Sequence, residues 1–341
     1  MQSSVAVLGA GSWGTALALR LSKGGHDVAL WARRQELATA LRRDRRNPLY
    51  LPEILVPAEV LVTSDLGESV LGRSVWVVAT PSHAVRILAE RLQPYVREDV
   101  IVVSVAKGIE GDTLMTGTQV LGSVLTPPVP ASQIGVLSGP SHAEEVAVGK
   151  PTTLVASAPD LIVAETIQAV FMSPHLRVYV NEDLVGVEMG GSVKNVMAIA
   201  AGIGDGIGYG DNAKAALLTR GMAEIQRLGV VVGADPATFA GLTGIGDLVV
   251  TCTSRHSRNR RLGEMIGKGM SLAEATASMQ MVAEGVRTTA ATRALARKLG
   301  IDMPITEAVY AILFEDKRPV DAVRDLMTRA AKREDWLPDT Y

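Results

Sequence analysis

The chain has 341 residues, 34 of them Lys or Arg and 36 Asp or Glu, for a formal net charge of −2. Global charge therefore draws it neither to nucleic acid nor to an anionic membrane, and its length suits two domains of about 150 residues each. One cysteine, Cys252, rules out an intrachain disulfide and fits a reducing cytoplasm, and the five histidines fall at no zinc-ligand spacing, so no metal site is expected. The uncharged stretch Gln2–Leu19 lacks a basic leader and is broken by Gly9, Gly11 and Gly14, which argues against a signal peptide. No window offers about 20 consecutive apolar residues, so no membrane span is expected.

In chain order, Ser4–Leu8 predicts a first strand, Thr15–Lys23 a helix stopped by Gly24-Gly25, Asp27–Trp31 a second strand and Gln35–Arg43 a helix. Val60–Thr63, Val75–Ala79 and Ile101–Val105 are apolar runs short enough for buried strands, with a helical pattern over Ala84–Leu92. The prolines of Thr126–Pro130 mark a loop. Ile134–Leu137, Thr152–Ala156 and Leu176–Val180 continue the strand series, and Pro159–Phe171 predicts a helix between the last two. This alternation implies an α/β, doubly wound, mostly parallel sheet, because parallel strands need crossover connections. After about Glu182 helical patterns dominate: Glu182–Ala201, Asn212–Leu228, Ser271–Gln280, Arg287–Leu299, Ile305–Phe314 and Pro319–Lys332. Val230–Val232 and Leu248–Thr251 are ambiguous. The expected organisation is a Rossmann-like domain over 1–185 and an all-helical domain over 186–341.

Gly9-Ala10-Gly11-Ser12-Trp13-Gly14 is a G-x-G-x-x-G between a strand and a helix. That context makes it a dinucleotide grip: Gly9 for the tight turn, Gly11 for close approach of a pyrophosphate, Gly14 for helix–strand packing. The helix N-terminus supplies N–H groups for the phosphates. An NAD site would carry an acid after the second strand; here Trp31 is followed by Ala32, Arg33 and Arg34. Guanidinium groups suit a 2′-phosphate, so NADP(H) is the expected cofactor and NAD(H) the second candidate. The rival is a solvated basic helix, since Arg42, Arg43, Arg45 and Arg46 follow.

Three further segments concentrate polar chemistry. Lys107 lies just past an apolar strand, where open α/β sheets bind ligands. Lys194 and Asn195 interrupt an apolar helix at the expected domain junction, and burial of an amine there would tune a proton donor. Gly244–Thr251 carries Asp247, and Ser257-Arg258-Asn259 follows as a basic, amide-rich turn able to hold a phosphate. A lysine in a helix usually sends its head to the surface, Asp247 could merely cap a helix, and Arg258 could be one more arginine in 255–261. The glycines of 202–210 follow no strand and are read as a loop or close helix packing.

With these motifs, and with Asn47-Pro48-Leu49-Tyr50-Leu51-Pro52, Ser138-Gly139-Pro140-Ser141-His142-Ala143 and Glu284-Gly285, the chain resembles the bacterial NAD(P)-dependent sn-glycerol-3-phosphate dehydrogenases over nearly its whole length. The resemblance implies reversible reduction of dihydroxyacetone phosphate to sn-glycerol 3-phosphate, which feeds glycerophospholipid synthesis, and a cytoplasmic homodimer. It implies that Lys194 is the catalytic acid–base, with Lys107 and Asp247 beside it. It implies substrate binding by Lys107, Gly139, Ser141, Lys194, Asp247, Ser257, Arg258 and Asn259, with Asn195 and Thr251 as additional candidates. Cofactor contacts fall on Gly9, Gly11, Ser12, Trp13, Gly14, Arg33, Arg34, Lys107, Ala143, Arg258, Val282 and Glu284. Dehydrogenases of 3-hydroxyacids or 6-phosphogluconate also use a helical lysine–asparagine pair, and a dinucleotide-binding redox sensor is the rival of another class. The sensor needs no lysine–carboxylate pair, and Ser257-Arg258-Asn259 favours the glycerol phosphate reading.

Overall fold

The computed structural model describes residues 2–279, 281–331 and 334. They divide into two compact units. One runs to Lys107 and resumes over Gly117–Leu184; the other takes Gly108–Thr116 and the described residues from Val185 onward.

The first unit contains β1 (Ser4–Leu8), β2 (Asp27–Trp31), β3 (Arg46–Asn47), β4 (Leu51–Leu55), β5 (Leu61–Thr63), β6 (Val75–Val78), β7 (Ile101–Ser104), β8 (Ile134–Ser138), β9 (Thr152–Ser157) and β10 (Leu176–Val180). Eight form one sheet in the order β5-β2-β1-β6-β7-β8-β9-β10. From β5 to β8 every pairing is parallel. Taken in chain order those six strands run 3-2-1-4-5-6, the Rossmann arrangement. β9 pairs antiparallel with β8, and β10 parallel with β9. The central strands are buried along their length, Val5–Leu8 and Val75–Val78 alike, because helices cover both faces of a parallel sheet.

Those helices are α1 (Ser12–Lys23), α2 (Gln35–Asp44), α3 (Leu66–Val70), α4 (Val85–Leu92), α5 (Gly117–Leu125), α6 (Ala143–Val148) and α7 (Leu161–Phe171). α1 buries Ala16, Leu17, Ala18, Leu19 and Leu21 and stops at Gly24-Gly25, where Gly25 has φ +86. The prolines after α5 lie in a turn, as the sequence predicts. The β3–β4 pair, α3, α5 and α6 escape sequence reading. They are short, the helices having five, nine and six residues, and so few turns show too little periodicity to be distinguished.

The second unit is helical apart from an isolated bridge between Ile109 and Thr116. Its helices are α8 (Leu184–Ile207), α9 (Gly210–Val231), α10 (Asp247–Thr253), α11 (Arg258–Gly267), α12 (Leu272–Ala277), α13 (Gly285–Leu299), α14 (Pro304–Phe314) and α15 (Pro319–Met327). α8 is the core helix: every residue from Gly186 to Ile199 is buried. It outlasts the expected end at Ala201 and runs through Gly202, Gly204 and Gly206. A mid-helix glycine costs about 1 kcal/mol relative to alanine, and close packing offsets that cost. A Cβ on Gly202 would lie 1.9 Å from the Arg260 carbonyl oxygen, and one on Gly263 would lie 2.1 Å from that of Ile199. Glycines at 202 and 206 on α8 thus meet glycines at 263 and 267 on α11, so two backbones cross where side chains would hold them apart.

The ambiguous runs are helical, Val230 and Val231 in α9 and Leu248–Thr251 in α10. α12 begins on a capping box between Ser271 and Glu274. Gln280 and Lys332, the expected ends of two helices, lie outside the described residues.

Candidate active site

The glycine turn separates its three glycines by role. Gly9 has φ +129, and a Cβ there would lie 2.6 Å from the Ala79 carbonyl oxygen; at Gly14 it would lie 1.9 Å from the Gly9 carbonyl oxygen. Both positions are closed by the protein's own backbone. At Gly11 an added Cβ would meet nothing within 4 Å. Gly11 is also the N-cap of α1, with no side-chain cap and no acid in the first turn. Open space before uncapped N–H groups is what a dinucleotide pyrophosphate requires, so these residues fit the nicotinamide cofactor. Ser12 and Trp13 open α1, and Trp13 packs half-buried on the core.

Asn47 holds the other wall of this turn. It is fully buried; its side-chain amide donates to the Ala10 carbonyl at 2.9 Å and to Thr15 Oγ1 at 2.8 Å. The basic run splits at the same place. Arg45 spends its guanidinium on the carbonyls of Val56, Pro57 and Val60, and Arg43 pairs with Asp44. Arg33 and Arg34 remain exposed just past β2, the position where a ribose 2′ group is read.

Three of the expected substrate residues come together in the first unit. Lys107 Nζ donates to the Gly139 carbonyl at 2.8 Å, and Ser141 Oγ donates to the same oxygen at 3.0 Å. Gly139 follows β8 with φ +123. Ala143 begins α6, whose Val146 carbonyl accepts from Arg20 of α1 at 2.7 Å.

In the second unit Lys194 lies within the buried stretch of α8 and is 5% exposed. Its ammonium donates to Asp247 Oδ1 and, at 2.7 Å, to Thr251 Oγ1; Thr251 Oγ1 in turn lies 3.4 Å from Asp247 Oδ1. The backbone explains the approach. Gly190 is one turn before Lys194, and a Cβ there would strike the Thr243 carbonyl oxygen at 2.5 Å. Thr243 belongs to a π-helical turn, Leu242–Gly246, that delivers Asp247 as the first residue of α10. That glycine contact escapes sequence reading, because spacing along a chain does not report which backbones touch. Cys252 is fully buried, and desolvation pushes its thiol up to about 12, which disfavours the thiolate.

Asn195, Asn259 and Gly285 form a second buried group. Asn259 donates to Asn195 Oδ1 at 2.9 Å and accepts from the Gly285 N–H at 2.9 Å. Ser257 caps α11 by accepting from the Arg260 N–H at 3.2 Å. Arg258 is exposed and donates to the Val282 carbonyl at 3.2 Å, and Glu284 is the N-cap of α13. The structure therefore groups Lys194, Asp247 and Thr251, groups Asn195 with Asn259, and ties Arg258 to Val282. Sequence reading treats 257–261 as a turn; here Arg258 begins a helix. Among the described residues no group of three or more His, Cys, Asp and Glu could hold a metal ion.

The sequence matches the family model for the N-terminus of NAD-dependent glycerol-3-phosphate dehydrogenase over residues 4–164 and the model for its C-terminus over 183–324. The chain belongs to the NAD-dependent glycerol-3-phosphate dehydrogenase family. A relative from Salinibacter ruber named glycerol-3-phosphate dehydrogenase (NAD(P)+) 2 is 60% identical over 338 residues, 99% of this chain and 98% of that one. A glycerol-3-phosphate dehydrogenase (NAD(P)+) from Moorella thermoacetica is 52% identical over 340 residues, 98% of this chain and 100% of that one. The crystal structure of glycerol-3-phosphate dehydrogenase from Coxiella burnetii superposes with a TM-score of 0.92 at 38% identity, covering 96% of this chain and 99% of that one. This glycerol-3-phosphate dehydrogenase family member is accordingly an NAD(P)-dependent oxidoreductase with a Rossmann-like N-terminal unit. Among its described residues no helix is long and apolar enough to cross a membrane.

Proposed function

We propose that the chain interconverts dihydroxyacetone phosphate and sn-glycerol 3-phosphate with Lys194 as general acid–base. The nicotinamide dinucleotide, when bound, supplies the hydride that C2 of the ketone receives. Lys194 gives a proton to the C2 oxygen in reduction and takes it back in oxidation. Asp247 offsets the cost of burying the ammonium and, with Thr251, fixes its direction. The observation that carries this reading is the buried ammonium held by Asp247 and Thr251. Such a pair has no task in a protein that only senses a dinucleotide.

The remaining roles follow the resemblance. Lys107, Gly139 and Ser141 take part in substrate binding, as do Asn195, Ser257, Arg258 and Asn259. Arg258 and Asn259 grip the phosphate, whose remote binding energy orients the carbonyl. Gly9–Gly14, Arg33, Arg34, Lys107, Ala143, Arg258, Val282 and Glu284 serve the cofactor, and the two arginines favour NADP(H) over NAD(H). A cytoplasmic homodimer supplying glycerophospholipid synthesis completes the proposal; sedimentation would test its assembly state.

Lys194→Ala tests the mechanism. Turnover of dihydroxyacetone phosphate should fall at least ~100-fold, the low end for acid–base catalysis, while NADPH still binds. Near-normal turnover would remove Lys194 from the reaction.

A further inference from the structure

The segment Asn47–Pro52 has no task in the scheme above, yet it is tied to the cofactor turn. Asn47 Oδ1 accepts from the Tyr50 N–H at 3.3 Å, while its amide is committed to Ala10 and Thr15. Tyr50 is thereby placed, and its half-buried ring packs on the core of the first unit. Its carbonyl accepts from Ser12 Oγ at 3.4 Å, and its phenolic oxygen accepts from Arg34 Nη2 at 3.4 Å. One residue, through its backbone carbonyl and its phenolic oxygen, thus links the start of α1 to the arginine past β2.

We infer that Tyr50 is a specificity-determining residue that selects NADPH over NADH by orienting Arg34 and donating its phenolic proton to the 2′-phosphate. A phenol has one proton and accepting lone pairs. Arg34 takes the accepting side, which leaves the proton for a group that only accepts. Phosphate oxygens are such acceptors, and hydrogen bonds to a charged group exceed those to a hydroxyl in strength. NADH presents a neutral 2′-hydroxyl and gains less from the same phenol. The inference rests on the reading that Arg33 and Arg34 receive the 2′-phosphate.

The experiment is a fluorescence titration of NADPH and NADH against wild type, Tyr50→Phe and Arg34→Ala, with melting temperatures alongside. Tyr50→Phe should weaken NADPH about tenfold, as loss of a charged hydrogen bond does, and leave NADH and the melting temperature nearly unchanged. Arg34→Ala should lower the same ratio of affinities. If Arg34→Ala lowers the ratio and Tyr50→Phe does not, the inference falls and the arginine reading stands. If Arg34→Ala leaves the ratio intact, Tyr50 has no arginine through which to act and the inference falls. If wild type binds both dinucleotides equally, the arginine reading falls and takes the inference with it.

Discussion

A lysine in a helix ordinarily lays its stem along the surface and keeps its ammonium in water. Lys194 cannot, because α8 has no exposed face between Gly186 and Ile199. Its ammonium instead donates to the Asp247 carboxylate and the Thr251 hydroxyl, and this changes what each partner can lose. Asp247→Asn keeps the shape and removes the negative charge that the buried ammonium faces. Breaking one side of a buried pair costs about 3–5 kcal/mol unless the remaining group neutralises. Turnover in Asp247→Asn should therefore fall strongly, and the pH dependence of kcat should move, because the lysine is left to titrate in an apolar site. Thr251→Val removes one neutral partner and should act in the same direction with a smaller effect. A pH–rate profile of Asp247→Asn that overlays the wild type would show that Asp247 does not govern the lysine. The lysine, asparagine and aspartate were legible as residue types in an unusual context. The resemblance set Asp247 beside Lys194, but the backbone approach of Gly190 to Thr243 that accompanies the pairing leaves no periodic trace.

The element scale shows the same limit on α14. Its N-terminus is capped from another helix: Glu224 on α9 accepts from the N–H groups of Ile305 and Thr306, at 2.5 and 3.2 Å, and from Thr306 Oγ1 at 3.1 Å. Glu224 is 2% exposed. Desolvation outweighs these three donors and pushes its carboxyl up to about 7 from the ordinary 4.5. The sign follows. Between those values the folded state keeps a proton that the unfolded chain has lost, so stability falls as pH rises from about 4.5 to 7. At 1.36 kcal/mol per pKa unit this group alone contributes a decline of about 3 kcal/mol. Glu224→Gln, which cannot ionise, should flatten that part of a stability–pH curve measured by denaturant unfolding. An unaltered slope would show that Glu224 titrates as an ordinary carboxyl. Nothing in the local sequence marks this cap, because cap and helix are 81 residues apart. The helices themselves were readable wherever three or more turns carried an apolar stripe, as in α9, α13 and α14. The expected end of α8 at Ala201 falls short of Ile207 because glycines weaken helices in isolation, whereas Gly202 and Gly206 serve the crossing with α11.

For the molecule as a whole, sequence reading carried furthest in the first unit. A mostly parallel, doubly wound sheet follows from alternating short apolar runs and crossover helices, and the glycine motif marks the turn proposed to hold the cofactor. The chain path was less legible: Gly108–Thr116 leaves the first unit and joins the second. There Ser192 of α8 accepts from the Gly108 N–H at 3.0 Å, and Thr116 donates to Glu188 at 2.7 Å. These two polar contacts, one helical turn apart on α8, and burial of Ile109 in the second unit's core tie the segment there, and only the folded chain brings them together.

Global stability also offers a way to separate Gly11 from Gly14 in the glycine turn. Gly11 has φ −77 and ψ −175, which alanine adopts without strain, and its Cβ would enter open space. Gly11→Ala should therefore leave unliganded stability within about 0.5 kcal/mol of wild type. Gly14→Ala drives a methyl into the Gly9 carbonyl and should destabilise the fold by about 1–3 kcal/mol. Saturating ligand exposes the effect that the unliganded comparison leaves hidden at Gly11. At a concentration 100 times its dissociation constant, NADPH stabilises a native protein by about 2.7 kcal/mol. Wild type should show that increment in denaturant unfolding, and Gly11→Ala, with a methyl where the pyrophosphate approaches, should lose most of it at the same concentration. A Gly11→Ala protein that keeps the full increment would mean that the open space before α1 does not receive the dinucleotide, even though the fold around it is intact.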